Sequence, residues 1–371
     1  MNIGLVLFFT RGVSLRTWAM IGLLEREVAL YLRLLNRGFR VDFVTYGGSS
    51  DLEYAEKLPG IRILCNEEDR PWEEYEQRLL ELHKDALQHC HVMKTNQSYG
   101  AELVLEAATA FAKGFVARCG YMWSQNAERE HGYDSDQARE ARRVEHKVFS
   151  AADRVIVTTP AMRDDVIRRV PEAASRTAVV PNYVDTDLFR PLDVPRERKS
   201  LIFIGRIAPE KNLEALLTAV RSLDVELILI GEGKLRPHLQ EKFGSLDGRV
   251  TWEGNIPNSR LPEYVNRAGL FILPSRYEGH PKSLLEAMAC GVPVIGADSP
   301  GIREIIRHGE TGYLCGTDAA SMQAAISEVI FRPDLAAYMG ANARRFIEDE
   351  YSLDKIVDLE AALLQEVGAR Q

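Results

Sequence analysis

The stretch Tyr277–Pro293, YEGHPKSLLEAMACGVP, carries a loop, a helix and the entry to a strand in seventeen residues. Two glutamates, Glu278 and Glu286, are separated by seven residues. The first lies in a Gly279-His280-Pro281 loop and the second inside an apolar helix. Pro281 presets a helical φ and gives up no N–H that the helix needs. Leu284, Leu285 and Met288 supply apolar contacts, while Ala287 and Ala289 permit close packing. Gly291 followed by Pro293 stops the helix, and Val292, Val294 and Ile295 read as a short buried strand. Ser283-x-x-Glu286 has the form of a capping box, so one reading of Glu286 is that it caps its own helix. The other is chemical. A helix N-terminus attracts an anion, and carboxylates on either side can accept hydrogen bonds from sugar hydroxyls.

Working outward, the chain alternates strands and helices twice. In the first half, strands are expected at Ile3–Phe9, Val41–Thr45, Ile61–Leu64, Gly114–Arg118, Val155–Thr158 and Val179–Pro181. Helical periods run over Leu23–Asn36, Trp72–His91, Ala101–Lys113 and Ala138–Ala152. Gly47-Gly48-Ser49 reads as a turn. The segment 191–198, with two prolines and four charges, reads as a linker. Alternation then restarts with strands at Leu201–Ile204, Val225–Ile230 and Leu270–Leu273, and Leu353–Val367 reads as a closing helix. The fold class is therefore α/β, with two doubly wound parallel-sheet domains. The expected limits are 1–192 for the first domain and 193–350 for the second, with a helix at about 351–371 packing back on the first. In such sheets ligands bind outside the carboxyl ends of the strands, which places the expected site in a cleft that the two domains face.

Composition narrows the function. The chain has 371 residues, 46% hydrophobic and 27% charged, with a net charge of -8. Both halves are mildly acidic, so neither is a basic nucleic-acid module. The five cysteines are scattered and form no C-x-x-C pair, which argues for a reducing cytosol and against a zinc site. The first apolar run is too short to span a bilayer. A cytoplasmic place is expected. The inner face of the membrane stays open, since an amphipathic surface helix would allow peripheral contact.

Four further segments carry chemistry. Gly205-Arg206, then Glu210-Lys211-Asn212, follows the Leu201–Ile204 strand. The glycine lets backbone approach a ligand, Arg206 offers a planar fork of donors, and Lys211 adds a compact charge. Gly231-Glu232-Gly233 is a strand–helix turn. Val179–Pro191 reads VVPNYVDTDLFRP, where Asn182 and Asp185 suit local turn bonds. Asp298–Gly301 and Glu304 follow the next strand, with Thr311-Gly312 closing that turn.

In order and spacing, these segments resemble the retaining glycosyltransferases of family 4, also called glycosyl transferases group 1, which have the GT-B fold. The resemblance lies in E-x7-E at Glu278 and Glu286, G-R-x-x-x-E-K at Gly205–Lys211, and the V-I-P-N-G-V-D run at 179–185. Tyr183 departs from that run, where glycine is commoner. The resemblance implies a transferase (EC 2.4) moving a sugar from a nucleotide diphosphate sugar to a hydroxyl acceptor in glycan, polysaccharide or glycolipid synthesis. The acceptor would be a saccharide, a lipid-linked saccharide or a small metabolite. No cofactor or metal is implied. Glu278, Arg206 and Lys211 would be catalytic. Gly205, Ile256, Gly279, His280, Pro281, Lys282, Ser283, Leu284 and Glu286 would bind the donor. The histidine that many relatives carry near the reacting sugar is missing, and the acceptor side falls to Arg11, Gly12, Arg118, Tyr121 and Trp123, which also read as a strand end with aromatic packing. Two other functions fit the fold: a non-catalytic binding subunit and a nucleotide-sugar epimerase. The intact set of Glu278, Glu286, Arg206 and Lys211 argues against the first, and the lack of an evident acid/base set against the second.

Overall fold

A computed structural model describes residues 2–246 and 248–370; the expected outer limits at 1 and 371 lie outside the described residues. The chain divides into two compact units. One comprises 1–20, 26–181 and 354–371, and the other 21–25 and 182–353.

In the first unit, β1 (Gly4–Phe8) is followed by α1 (Leu15–Met20), α2 (Leu24–Asn36), β2 (Arg40–Gly48) and β3 (Ile61–Asn66). Then come α3 (Trp72–Leu82), α4 (Lys84–His89), β4 (Val92–Thr95), α5 (Ala101–Ala110), β5 (Gly114–Cys119), α6 (Trp123–His131) and α7 (Asp136–Ala151). The run ends with β6 (Arg154–Val157), α8 (Pro160–Arg169) and β7 (Thr177–Val179). The seven strands form a parallel sheet in the order β3-β2-β1-β4-β5-β6-β7. Every residue of β1, GLVLF, is buried, as expected for a central parallel strand covered on both faces.

The second unit contains β8 (Glu197–Ile204), α9 (Leu213–Val220), β9 (Glu226–Ile230), α10 (Arg236–Lys242), β10 (Val250–Gly254) and α11 (Leu261–Arg267). It continues with β11 (Ala268–Leu273), α12 (Lys282–Ala289), β12 (Val294–Ala297), β13 (Tyr313–Cys315), α13 (Ala319–Phe331) and α14 (Pro333–Tyr351). Its parallel sheet has the order β10-β9-β8-β11-β12-β13. The last helix, α15 (Leu353–Gly368), returns to the first unit. There Glu360 pairs with Lys94 of β4, both fully buried, and Lys94 Nζ also donates to Tyr31 Oη at 3.1 Å.

Several sequence expectations are corrected. Gly47 and Gly48 extend β2 rather than forming a turn. Side chains are excluded there, because a Cβ on Gly47 would fall 2.3 Å from the Asp51 carboxylate. That buried carboxylate accepts from the first amides of α1, Leu15 N and Arg16 N, both at 3.1 Å. The helix expected over 72–91 breaks at His83, whose ring nitrogen meets Tyr75 Oη at 3.1 Å. Its last residues turn away before β4, a strand absent from the sequence reading. The segment 191–198 is not a free linker. Phe189 is buried in the second core, Leu192 N donates to Asn266 Oδ1 at 2.9 Å, and β8 already begins at Glu197. The last strand of the first unit is Thr177–Val179, short of Pro181.

Candidate active site

The second unit collects most of the residues singled out above. Leaving β8, Gly205 N donates to Ile230 O at 3.0 Å, and Ile207 N donates to Glu232 O at 2.9 Å. The glycines of the 231–233 turn are required by that contact. A Cβ on Gly231 would lie 2.0 Å from Gly205 O, and one on Gly233 2.1 Å from Ile207 O. The chain then makes one tight 3-10 turn, Pro209–Lys211, which ends at Asn212 in the left-handed region with φ 55. Asparagine tolerates this conformation better than most residues. Here it is also bonded: Asn212 Nδ2 donates to Thr317 O at 2.8 Å and to Pro274 O at 3.2 Å, while its Oδ1 accepts from Arg276. Asn212 is a supporting residue that sequence reading passed over, because only the fold shows what its side chain reaches.

That support sets Lys211 against Glu278. Lys211 Nζ lies 2.5 Å from Glu278 Oε1, and the two side chains are 13% and 11% exposed. Ser275 Oγ donates to the same oxygen at 2.7 Å. The backbone of Glu278 is pinned as well: its N–H donates to Pro300 O at 2.9 Å. Gly301, at φ 81, is packed so closely that a Cβ would fall 2.4 Å from Glu278 O and 2.7 Å from Gly279 O. Arg206 is placed differently. Its side chain is 79% exposed and its guanidinium bonds Glu210 at 2.9 Å, outside the Lys211–Glu278 pair.

The capping reading of Glu286 is overturned. α12 begins at Lys282 with Pro281 in the cap position, in extended backbone and without a side-chain cap bond. Ser283 therefore sits inside the helix, and Glu286 is not the fourth member of a capping box. Pro281 correspondingly precedes the first turn instead of opening it. The Glu286 carboxylate, 2% exposed, accepts from Asn258 Nδ2 at 2.9 Å. Asn258 opens a short 3-10 turn after Ile256-Pro257, and its N–H donates to Gly22 O at 3.1 Å. Ile256 packs against the second core, with its carbonyl so close to Gly22 that a Cβ there would fall 2.5 Å away. Leu284 is core.

His280 does not face outward. The residue is 6% exposed, its ring lies 5.2 Å from the Tyr351 ring, its carbonyl accepts from Asn182 Nδ2 at 2.7 Å, and its Nδ1 meets no hydrogen-bond partner among the described residues. Burial, aided by the Lys282 charge, pulls its pKa down to about 3. The unfolded chain takes up a proton at His280 below pH 6.5, and the folded chain does not until about 3. The resulting stability is present above pH 6.5 and lost as pH falls toward 3. Between pH 7.5 and 5 this one group should cost about 2 kcal/mol. Urea unfolding of His280→Phe at the two pH values should show a loss smaller by about that amount. Equal losses in the variant and the parent would mean that His280 is already charged in the folded protein.

In the first unit, the acceptor-side residues gather at the carboxyl ends of β1, β4 and β5, neighbours in the sheet at the point where strand order reverses. Arg11 makes a two-bond pair with Glu76 at 2.5 and 2.6 Å. Gly12 holds φ 81 in the same turn. Arg118 Nη1 donates to Asn96 O at 3.2 Å, and Gln97 Oε1 accepts from Gly120 N at 2.9 Å. Trp123 opens α6 and packs edge-on against Tyr99 with centroids 5.1 Å apart, while Tyr121 is 39% exposed. Asn96, Gln97 and Tyr99 join this group only because β4 exists.

This arrangement has known counterparts. A signature described as Glycosyl transferases group 1 matches residues 184–346, and one described as Glycosyltransferase Family 4 matches residues 28–188. The chain belongs to the family 4, group 1 glycosyltransferases, with the GT-B fold. Alpha-maltose-1-phosphate synthase of Mycolicibacterium smegmatis is 30% identical over 256 residues, covering 61% of this chain and 66% of that protein. The match thus spans just under two thirds of that relative's length. Sucrose-phosphate synthase from Thermosynechococcus elongatus is similar over 100% of both chains, with a TM-score of 0.78 and 20% identity. Anabaena HepE, solved in complex with UDP, is similar over 99% of this chain and 100% of its own, with a TM-score of 0.76 and 18% identity.

Proposed function

We propose that this protein is a retaining glycosyltransferase that moves a sugar from a nucleotide diphosphate sugar to a hydroxyl acceptor, serving glycan, polysaccharide or glycolipid synthesis. The observation that carries the reading is the Lys211–Glu278 pair beyond the carboxyl ends of the adjacent strands β8 and β11. The reaction separates charge, leaving an oxocarbenium-like sugar and a diphosphate. Lys211, with Arg206, Lys282 and the first amides of α12, would neutralise the leaving diphosphate. Both bonds to Glu278 from Lys211 and Ser275 fall on one carboxylate oxygen. The other oxygen would accept from a hydroxyl of the transferred sugar, and the negative charge would favour positive character at its anomeric carbon. Glu286, set by Asn258, would accept from the ribose hydroxyls, with Ile256 backbone at the base. A donor phosphate oxygen would take the acceptor's proton as the new glycosidic bond forms and the bond to the diphosphate breaks. Both events fall on one face of the sugar, which retains its configuration. Arg11, Gly12, Arg118, Tyr121 and Trp123, with Tyr99, would hold the acceptor. The UDP in HepE makes a nucleoside diphosphate sugar the donor class to test first.

The test is a thermal-shift series with UDP-, GDP- and ADP-sugars. One nucleotide class should raise the melting temperature by mass action, and Glu286→Gln should weaken that response without lowering the melting temperature of the free protein by more than a degree or two. An unchanged response in Glu286→Gln would remove Glu286 from the donor site.

A further inference from the structure

Lys282 is the first residue of α12, where the helix's own electrostatics oppose a cation. The N-terminal end of a helix carries about half a positive charge and favours acidic side chains. α12 has no acidic residue in its first turn, and its cap residue, Pro281, makes no side-chain cap bond. A cation set against a local rule marks a place where something else is being served. The ammonium group is nevertheless held in place. Lys282 Nζ lies 5.0 Å from the centroid of the Tyr183 ring, and Tyr183 is 7% exposed. Its neighbour Asn182 donates to His280 O, two residues before Lys282. Segment 182–183 therefore grips the loop before α12 through a hydrogen bond and fixes its cation over an aromatic face. Tyr183 is also the position at which this chain departs from the glycine of the run it otherwise follows, and a glycine would offer no such face.

Resting on the donor-site reading above, we propose that Tyr183 is a positioning residue for donor binding. Its ring holds the Lys282 ammonium at the head of α12, where ammonium and helix end together meet the diphosphate of the nucleotide sugar. The attraction is between the cation and the negative face of the ring quadrupole. It depends on the ring and not on the phenolic hydroxyl.

Calorimetric titration of the full chain with UDP, GDP and ADP tests this, using whichever binds most tightly. Tyr183→Phe should keep the parent Kd. Tyr183→Leu and Lys282→Gln should each raise it about fivefold, and the double variant should raise it no further than Lys282→Gln alone. A series of progressively fluorinated phenylalanines at 183 keeps the shape, withdraws charge from the ring face, and should weaken binding step by step even if Tyr183→Leu does not fold. A parent-like Kd in Tyr183→Leu, additive effects in the double variant, or a flat fluorination series would overturn the inference while leaving the donor site standing. A parent protein that bound none of the three nucleoside diphosphates would overturn both.

Discussion

Glu278→Ala and Lys211→Ala should each lower turnover by two to three orders of magnitude, about 2.7–4 kcal/mol of transition-state stabilisation by analogy with the loss of one preorganised group at a developing charge. The structure adds a condition. The two residues are each other's partner at 2.5 Å, in surroundings that leave them little more than a tenth exposed. Removing either leaves the other underpaired, so each single variant should lose stability, on the order of 2 kcal/mol, as well as activity. The double variant removes both charges together and should lose little more activity than either single one, because the pair acts as a unit. Glu278→Gln separates the contributions. It keeps the volume and an acceptor for Ser275, and removes the charge that faces the anomeric carbon. The measurement is kcat from nucleoside diphosphate release, paired with the unfolding midpoint of each variant. A folded Glu278→Ala protein within about threefold of the parent kcat would show that the pair is structural.

The second large effect concerns stability. Lys94 and Glu360 are 1% and 2% exposed and joined across 266 positions of sequence. Burial, aided by the Arg118 charge, drives the Lys94 pKa down, and the Glu360 charge opposes that shift. Cutting one partner leaves an uncompensated charge inside the first unit, so Lys94→Ala or Glu360→Ala should each cost about 3–5 kcal/mol. Since Glu360 lies on α15, the loss should appear as release of that helix. Limited proteolysis of either single variant should trim the C-terminal helix well before the rest of the unit. Lys94→Met with Glu360→Leu replaces the pair by apolar groups and should recover most of the loss. Single variants as protease-resistant and as stable as the parent would show that the pair is not what docks α15.

The same pair explains a gap in what the sequence made legible. Most strands stand out as short apolar runs, and the motif segments fall where strand ends are expected. β4 does not, because VMKT carries a lysine in a buried strand and its partner is far along the chain. α6 was missed for a related reason: its residues are mostly polar, and what holds its start is the buried carboxylate of Glu145, accepting from Ser124 N at 3.2 Å. At the candidate site, only the presence and spacing of the two glutamates and Lys211 were readable. Their supports were not. Asn258 reaches Glu286 across 28 positions, and Asn212 matters through carbonyls at Pro274 and Thr317. His280 stands in the loop with a histidine's chemistry, yet burial keeps it neutral and turned toward Tyr351. Local pattern shows which residues are present, and long-range packing decides which of them face a ligand.

Product analysis decides whether this protein transfers sugar with retention. The full chain would be incubated with the nucleotide sugar that binds it and a panel of saccharide and lipid-linked hydroxyl acceptors. Nucleoside diphosphate release would be followed together with the anomeric configuration of the new linkage by proton NMR. Release should be coupled to a glycoside that keeps the donor's configuration, and should be lost in Glu278→Ala. A product of inverted configuration would contradict the retaining mechanism, and undiminished transfer in Glu278→Ala would contradict the site.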